Sequence, residues 1–123
     1  MKTIYLTTIA FLVLLSCSKK KTDDKEAPII SLTTPVNNQV FTAGEIHIKG
    51  KVTDNQYIDQ VHIEITNLNT SEEYEHVHIH PATKTYAFDQ LFTLKAGINY
   101  KIKIIAEDPS ANPASAQVAI SCN

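Results

Sequence analysis

Apolar and polar residues alternate along seven short segments of this chain, and turn-forming residues separate the segments. Alternate side chains of a β-strand point to opposite faces, so this period of two predicts strands with one buried face. No helical period occurs after residue 17. The residues predicted to face the core are Ile30, Leu32, Ile46, Ile48, Val52, Val61, Ile63, Ile65, Val77, Ile79, Tyr86, Phe88, Leu91, Phe92, Leu94, Tyr100, Ile102, Ile104, Ala106, Val118, Ile120 and Cys122.

Strands of this length and spacing predict an all-β fold, a seven-stranded immunoglobulin-like β-sandwich. The fifth segment breaks the alternation between Phe88 and Leu91. One extra residue in a strand is typical of a β-bulge, so we expect a bulge there.

Motifs along residues 28–123 carry a family resemblance. They are Thr34-Pro35, Gly44, Gly50-Lys51-Val52-Thr53-Asp54, Tyr100, Ala106-Glu107-Asp108 and Asn112. The chain resembles bacterial immunoglobulin-like and fibronectin-type-III-like domains, and an uncharacterised lipoprotein domain family of Bacteroidetes. The resemblance implies a fold and a location but no activity. It also places Tyr100 where such sandwiches keep a corner tyrosine that bonds the backbone.

The N-terminus has the parts of a bacterial lipoprotein signal. Lys2 precedes an apolar run over residues 9–15, and Leu14-Leu15-Ser16-Cys17 reads as a lipobox. The run is far shorter than the roughly 20 residues of a membrane-spanning helix. We therefore expect residues 1–16 to be removed and an acylated Cys17 to anchor the protein to the outer membrane. The alternative is an ordinary cleaved signal with a cysteine near the cut.

Residues 17–27 form the second predicted unit, a charged tether, and residues 28–123 form the domain. A segment of charged residues buries too little apolar surface to offset the conformational entropy that it would lose on becoming ordered. Lys21, Asp23, Asp24 and Lys25 resemble the segment that follows the cysteine in Bacteroidetes-type surface lipoproteins, which implies export to the outer leaflet. A solvated linker that faces the periplasm is the alternative.

Charge excludes one class of partner. The chain after residue 16 carries ten lysines, no arginine and thirteen acidic residues, a formal net charge of −3. Nucleic-acid-binding proteins present a basic face, with arginine on phosphates and base edges. The sequence therefore argues against a nucleic-acid partner.

Cys122 becomes a lone thiol if Cys17 is acylated. Two interpretations are open: a reactive or intermolecular thiol, or a small buried hydrophobe on the inward face of the last strand. No pair of cysteines is left to span the sheets, which excludes an antibody-type domain.

The most unusual pattern is His76-Val77-His78-Ile79-His80. Alternate strand residues share a face, so the three imidazoles project together while Val77 and Ile79 point inward. His76 and His80 lie about 13 Å apart along the strand, too far to share an ion. A metal site therefore needs a further ligand from another strand.

The preceding strand offers that ligand. If the two strands form a hairpin, the apolar residues of both strands must face the core, so the pairing can shift only in steps of two residues. His62 then lies opposite His76 or one pleat either side of it. Glu64 lies on the same face. Together, His62 and two of His76, His78 and His80 would provide three nitrogens for zinc or copper(II). His47 belongs to a strand of the other sheet.

The alternative is a polar face on an exposed edge strand, which prevents aggregation between sheets. Lys101 and Lys103 are expected on the same outer face, where they would oppose a bound cation. Both interpretations stay open at the level of sequence.

Acidic and amide side chains also meet in two loops at one end of the predicted sandwich. They can supply oxygen ligands for calcium, or they can bond their own backbone and shape the turns. The residues are Asp54, Asn55, Glu107, Asp108 and Asn112.

The sequence does not indicate a catalytic site, because it contains neither a nucleophile motif nor a phosphate-binding glycine loop. Glycan binding would depend on exposed Tyr57, Tyr74 or Tyr86, without any tryptophan. We therefore expect a non-enzymatic binding lipoprotein. Either it binds a transition metal, or it is a protein-interaction or adhesion module accessory to an outer-membrane partner such as a transporter. The oligomeric state is open.

Overall fold

The computed structural model describes residues 23–123, which form eight β-strands and no helix. The predicted signal segment, Cys17 and the first part of the predicted tether lie outside the described residues. No helix among residues 23–123 is long and apolar enough to cross a membrane. The strands are β1 (Ile29–Thr34), β2 (Gln39–Phe41), β3 (Gly44–Ile58), β4 (Gln60–Asn67), β5 (Glu73–Ile79), β6 (Thr83–Leu94), β7 (Asn99–Glu107) and β8 (Pro113–Cys122).

Two sheets form the predicted immunoglobulin-like sandwich. The three-stranded sheet has the order β1-β3-β6, and the five-stranded sheet has the order β2-β8-β7-β4-β5. Each connection between consecutive strands crosses from one sheet to the other, except β4 to β5 and β7 to β8, which stay within the five-stranded sheet. The strands β1-β3-β6 correspond to strands A-B-E of an immunoglobulin domain, and β8-β7-β4 correspond to strands G-F-C.

The inward residues of both sheets form one core, as the alternation predicts. Ile48, Val52, Val61 and Ile102 are completely buried. Cys122 belongs to this core at 2% exposure, so the interpretation of this residue as a buried small hydrophobe is confirmed.

Tyr100 is a tyrosine corner. It is buried at the start of β7, and its hydroxyl oxygen accepts a hydrogen bond of 2.9 Å from the backbone N–H of Lys95. This bond ties the loop between β6 and β7 to the core, which confirms the role that the family resemblance implied for Tyr100.

The strand count is eight rather than seven because β2 pairs in parallel with the end of β8. Three residues are too few to establish a period of two, so the sequence pattern did not reveal this strand.

The predicted bulge in β6 is wrong. β6 pairs with β3 without interruption from Gly44↔Leu94 to Thr53↔Thr85. Gln90 takes the inward position instead of Leu91, and its side-chain amide donates a 2.8 Å hydrogen bond to Glu75 on the facing sheet. Leu91 is exposed on the outer face. A polar residue can occupy an inward position when a partner across the sheets satisfies it.

A register shift occurs instead between β4 and β5, where Ile65 pairs with Glu75 and Thr66 pairs with Glu73. Tyr74, between these pairs, leaves the outer face and packs on the core, with its ring centroid 5.5 Å from that of Tyr100. Strict alternation with His76 and His78 predicts that Tyr74 points outward with them, and this prediction is wrong.

Candidate functional site

Antiparallel pairing of β4 with β5 gathers four histidines on the outer face of the five-stranded sheet. His62 lies opposite His78, one pleat from His76, within the predicted range. His76, His78 and His80 are exposed, whereas His62 is half-buried between neighbouring strands. We call His62, His76, His78 and His80 the histidine face.

Two ring nitrogens from different strands meet on this face. His62 Nδ1 lies 2.8 Å from His76 Nε2, a hydrogen-bond distance. Such a bond needs one proton between two nitrogens, so the two rings cannot both be doubly protonated while it persists. This pair is the closest approach between potential ligands on the histidine face.

The other rings pack beside this pair. The His62 and His78 ring centroids lie 4.0 Å apart with the planes at 21°, a stacked arrangement. The His78 and His80 centroids lie 4.5 Å apart. Ring lone pairs lie in the ring plane, so two stacked rings do not converge on one point. His78 therefore contacts His62 without sharing a ligand position with it.

Hydrogen bonds orient three of the rings. His78 Nε2 donates to Gln60 Oε1 at 3.2 Å, and His62 Nε2 lies 3.5 Å from the same oxygen. His80 Nδ1 donates to the backbone carbonyl of Asp59 at 3.0 Å. Because these oxygens only accept, each neutral ring keeps a lone pair on its other nitrogen. Metal-binding histidines are oriented in this way.

The surroundings of His62 favour its neutral form. Partial burial, followed by the charges of His78 and His76, lowers the pKa of His62, and Glu64 opposes these effects. A neutral imidazole is the form that binds a metal. His76 faces a carboxylate as well, with its Nδ1 at 3.6 Å from Glu73 Oε2.

Glu64 lies in register with both His76 on β5 and Lys103 on β7. The predicted placement of Lys103 on the outer face is therefore confirmed. Lys103 has a carboxylate as its direct neighbour, which partly offsets its repulsion of a cation.

The described residues of one chain do not complete a metal site. Within residues 23–123, no group of three or more His, Cys, Asp or Glu side chains is arranged to hold an ion. Zinc ligands lie about 2.0–2.1 Å from a tetrahedral ion, which separates two nitrogens by about 3.3 Å. A small opening of the His62–His76 pair would reach this separation, but further ligands are needed.

His47 lies on the three-stranded sheet, as predicted, and has a different environment. His47 Nδ1 lies 2.6 Å from Asp89 Oδ1, and Lys49 Nζ lies 3.1 Å from Asp89 Oδ2. The hydrogen bond from His47 lowers the pKa of Asp89. This arrangement is an exposed ion-pair network.

The loop between β7 and β8 is shaped by Asp108, which is 1% exposed. Asp108 Oδ1 accepts backbone N–H bonds of 2.9 Å from Ser110 and Asn112, and Oδ2 accepts the Asn112 side chain at 2.7 Å. These contacts favour the interpretation in which the acidic loop residues shape turns. Glu107 ends β7, opposite Gln60.

Asp24 also belongs to this end of the sandwich, which the sequence did not indicate. Its Oδ1 accepts a 3.2 Å bond from the Asn55 side chain, and its backbone oxygen accepts a 2.9 Å bond from Asn112. Asp54 Oδ1 accepts the backbone N–H of Gln56 at 2.8 Å. The second carboxylate oxygens of Asp24 and Asp54 are buried without a hydrogen bond. The described part of the predicted tether is thus held to both loops.

The predicted glycan-binding tyrosines do not form a platform. Tyr57 is 41% exposed, whereas Tyr74 and Tyr86 pack against the core. Flat stacking on a sugar requires an exposed ring face, which the latter two lack.

These features define an immunoglobulin-like sandwich with a cluster of imidazoles on one outer face. The chain belongs to the family described as Domain of unknown function (DUF4625), whose model matches residues 15–120. No curated protein matches the chain.

Proposed function

We propose that this protein is a non-enzymatic binding lipoprotein of the outer membrane that captures a divalent transition metal, zinc or copper(II), on its histidine face. The contact between His62 Nδ1 and His76 Nε2 carries the proposal, because it brings two potential ligands from adjacent strands to one point. Imidazole nitrogens suit both metals.

The state of the rings supports metal capture. The lowered pKa of His62 favours its neutral form at neutral pH, so a metal displaces few protons. Hydrogen bonds from His78 to Gln60 and from His80 to Asp59 hold rings in place before binding. Preorganised rings lose less entropy on binding a metal.

The proposed anchor would keep the domain close to the bilayer. Asp24 is bonded to the loops of the domain, and Cys17 precedes it by seven residues. Seven extended residues span about 25 Å at most. An acylated Cys17 would therefore hold the loop end of the sandwich near the membrane surface. Cell fractionation tests this directly: wild type should remain with the membranes and Cys17→Ser should be released.

Equilibrium zinc binding tests the metal proposal. The full chain, purified in detergent without a histidine tag, competes with a chelating dye for zinc. We expect the His62→Gln, His76→Gln double variant to bind about 100-fold more weakly, because the paired nitrogens are lost. The matched control is His47→Gln, which removes a histidine from the other sheet and should bind like wild type.

Equal affinity of the double variant and wild type would contradict the proposal. The histidines would then be a polar face on an edge strand. The protein would be better described as an interaction or adhesion module that serves an outer-membrane partner.

A further inference from the structure

The histidine face borders an open sheet edge. β5 ends the five-stranded sheet, and on its far side no strand among the described residues pairs with it. The side chains of His76 and His78 are exposed beside this edge. An unpaired edge is a template for another strand, so a ligand group from a second chain can approach these rings.

The ligand set of one chain is incomplete at the same place. His62 and His76 bring two nitrogens together, and no third ligand from residues 23–123 completes the site. Zinc sites in proteins use at least three protein ligands. His78, although close, is stacked on His62 rather than aimed at the shared position.

A second copy of β5 supplies the missing ligand by symmetry. In an antiparallel pair centred on Val77, His76 of each copy lies opposite His78 of the other, on the same outward face. Side chains opposite one another in an antiparallel pair are about 4.5–5.5 Å apart at Cβ. Each His62–His76 pair thereby gains a third imidazole.

The charges of β5 favour this pairing. Glu72 and Glu73 stand at its start, and His80 follows its end. Antiparallel pairing brings the acidic end of each strand alongside the histidine end of the other, whereas parallel pairing would place like groups together. The inward Glu75, a type of residue that discourages edge pairing, is already bonded to Gln90.

We propose that a second copy of this chain completes the metal site, so that the metal joins two chains through their β5 edges. Two ions bind per dimer, each held by His62 and His76 of one copy and His78 of the other. This inference rests on the proposed metal-binding function and specifies its partner.

Native mass spectrometry of the full chain in detergent tests the inference, with zinc as the probe. We expect a monomer after chelation and a dimer with two zinc ions after zinc is added. His78→Gln should remove the zinc-dependent dimer, and His47→Gln should leave it unchanged. Glu73→Lys, an exposed charge reversal on β5, should weaken the dimer about tenfold because it replaces the carboxylate beside His76 with a cation that repels the bound metal.

The outcomes separate the two proposals. A zinc-bound monomer, or a zinc-dependent dimer that persists in His78→Gln, would overturn the shared site while metal capture by one chain stands. Absence of bound zinc at every concentration, together with absence of bound copper(II) in a parallel titration, would overturn both.

Discussion

Histidines on the two outer faces of the sandwich have different neighbours. On the three-stranded sheet, His47 lies 2.6 Å from the Asp89 carboxylate, which also binds Lys49. On the five-stranded sheet, His62 lies 2.8 Å from another imidazole and stacks on a third. Both faces consist of alternating outward residues of β-strands, so secondary structure does not explain the contrast.

The neighbouring charges explain it. Asp89 accepts a hydrogen bond from His47 and pairs with Lys49, as expected for a solvated polar face. The histidine face places imidazoles against each other, and partial burial, followed by the charges of His78 and His76, lowers the pKa of His62 and so favours its neutral form with an available lone pair. A protective polar face does not require that arrangement, whereas a metal site does.

The largest expected effect is stabilisation by zinc. At a free zinc concentration 100 times the Kd, the free energy of unfolding of wild type should rise by about 2.7 kcal/mol. Urea unfolding with and without zinc measures this difference. The rise should fall to about 0.4 kcal/mol in the His62→Gln, His76→Gln variant, whose Kd is about 100-fold higher, and persist in His47→Gln. Equal stabilisation of all three would place the metal elsewhere and end the contrast between the faces.

A smaller effect is expected from Tyr100→Phe, which separates stability from binding. The variant loses the hydroxyl that accepts the Lys95 N–H, at a cost of about 1 kcal/mol. Tyr100 faces the core, so zinc affinity should not change. Urea unfolding and dye competition on the same sample check both quantities. Loss of affinity in parallel with stability would show that binding reflects general integrity rather than the histidine face.

The pH dependence of the metal-free protein should differ between the two faces. The pKa of His62 is lowered from 6.5, so the unfolded chain binds the proton more tightly. The contribution of His62 is therefore fully present above pH 6.5 and is lost as the pH falls through 6.5 towards the folded pKa. The lowered pKa of Asp89 has its effect only near and below 3.8.

Urea unfolding with chelator at pH 7.5 and 5.5 checks this difference. Wild type should lose stability between these values, and His62→Gln should lose less. An identical loss in both proteins would show that His62 is not the group responsible.

Asp89→Asn should have the smallest effect on stability, because its ion pair is exposed. Its signature is local: the ring signals of His47, which loses its carboxylate partner, should move. NMR spectra of wild type and variant measure this change, and the His62 and His76 signals serve as internal controls. A shift of those signals would show that the two faces are coupled.

The sequence predicted most of the fold because apolar and polar residues alternate strictly in strands that have one buried and one exposed face. It also limited His62 to positions near His76, since a shift by one residue would have buried the histidines. It did not predict the inward Gln90 or the displaced Tyr74. Both depend on contacts made after the sheets pack, with Glu75 and Tyr100 respectively.

The candidate site was only partly predictable for the same reason. The alternation of side chains along a strand identifies which of them share a face, but it does not show which ring nitrogens lie close together. Ring orientation on the histidine face depends on Gln60 and the Asp59 carbonyl. Likewise, no local pattern marks Asp24, whose partners Asn55 and Asn112 are distant in sequence.

The metal content of the native protein is the most direct test of the proposed function. The untagged chain, purified from membranes without chelators, should contain about one zinc or copper ion per chain by elemental analysis. That content should fall to background in the His62→Gln, His76→Gln variant prepared in parallel. Wild-type protein that contains no metal and takes up neither zinc nor copper on addition would contradict metal capture by the histidine face.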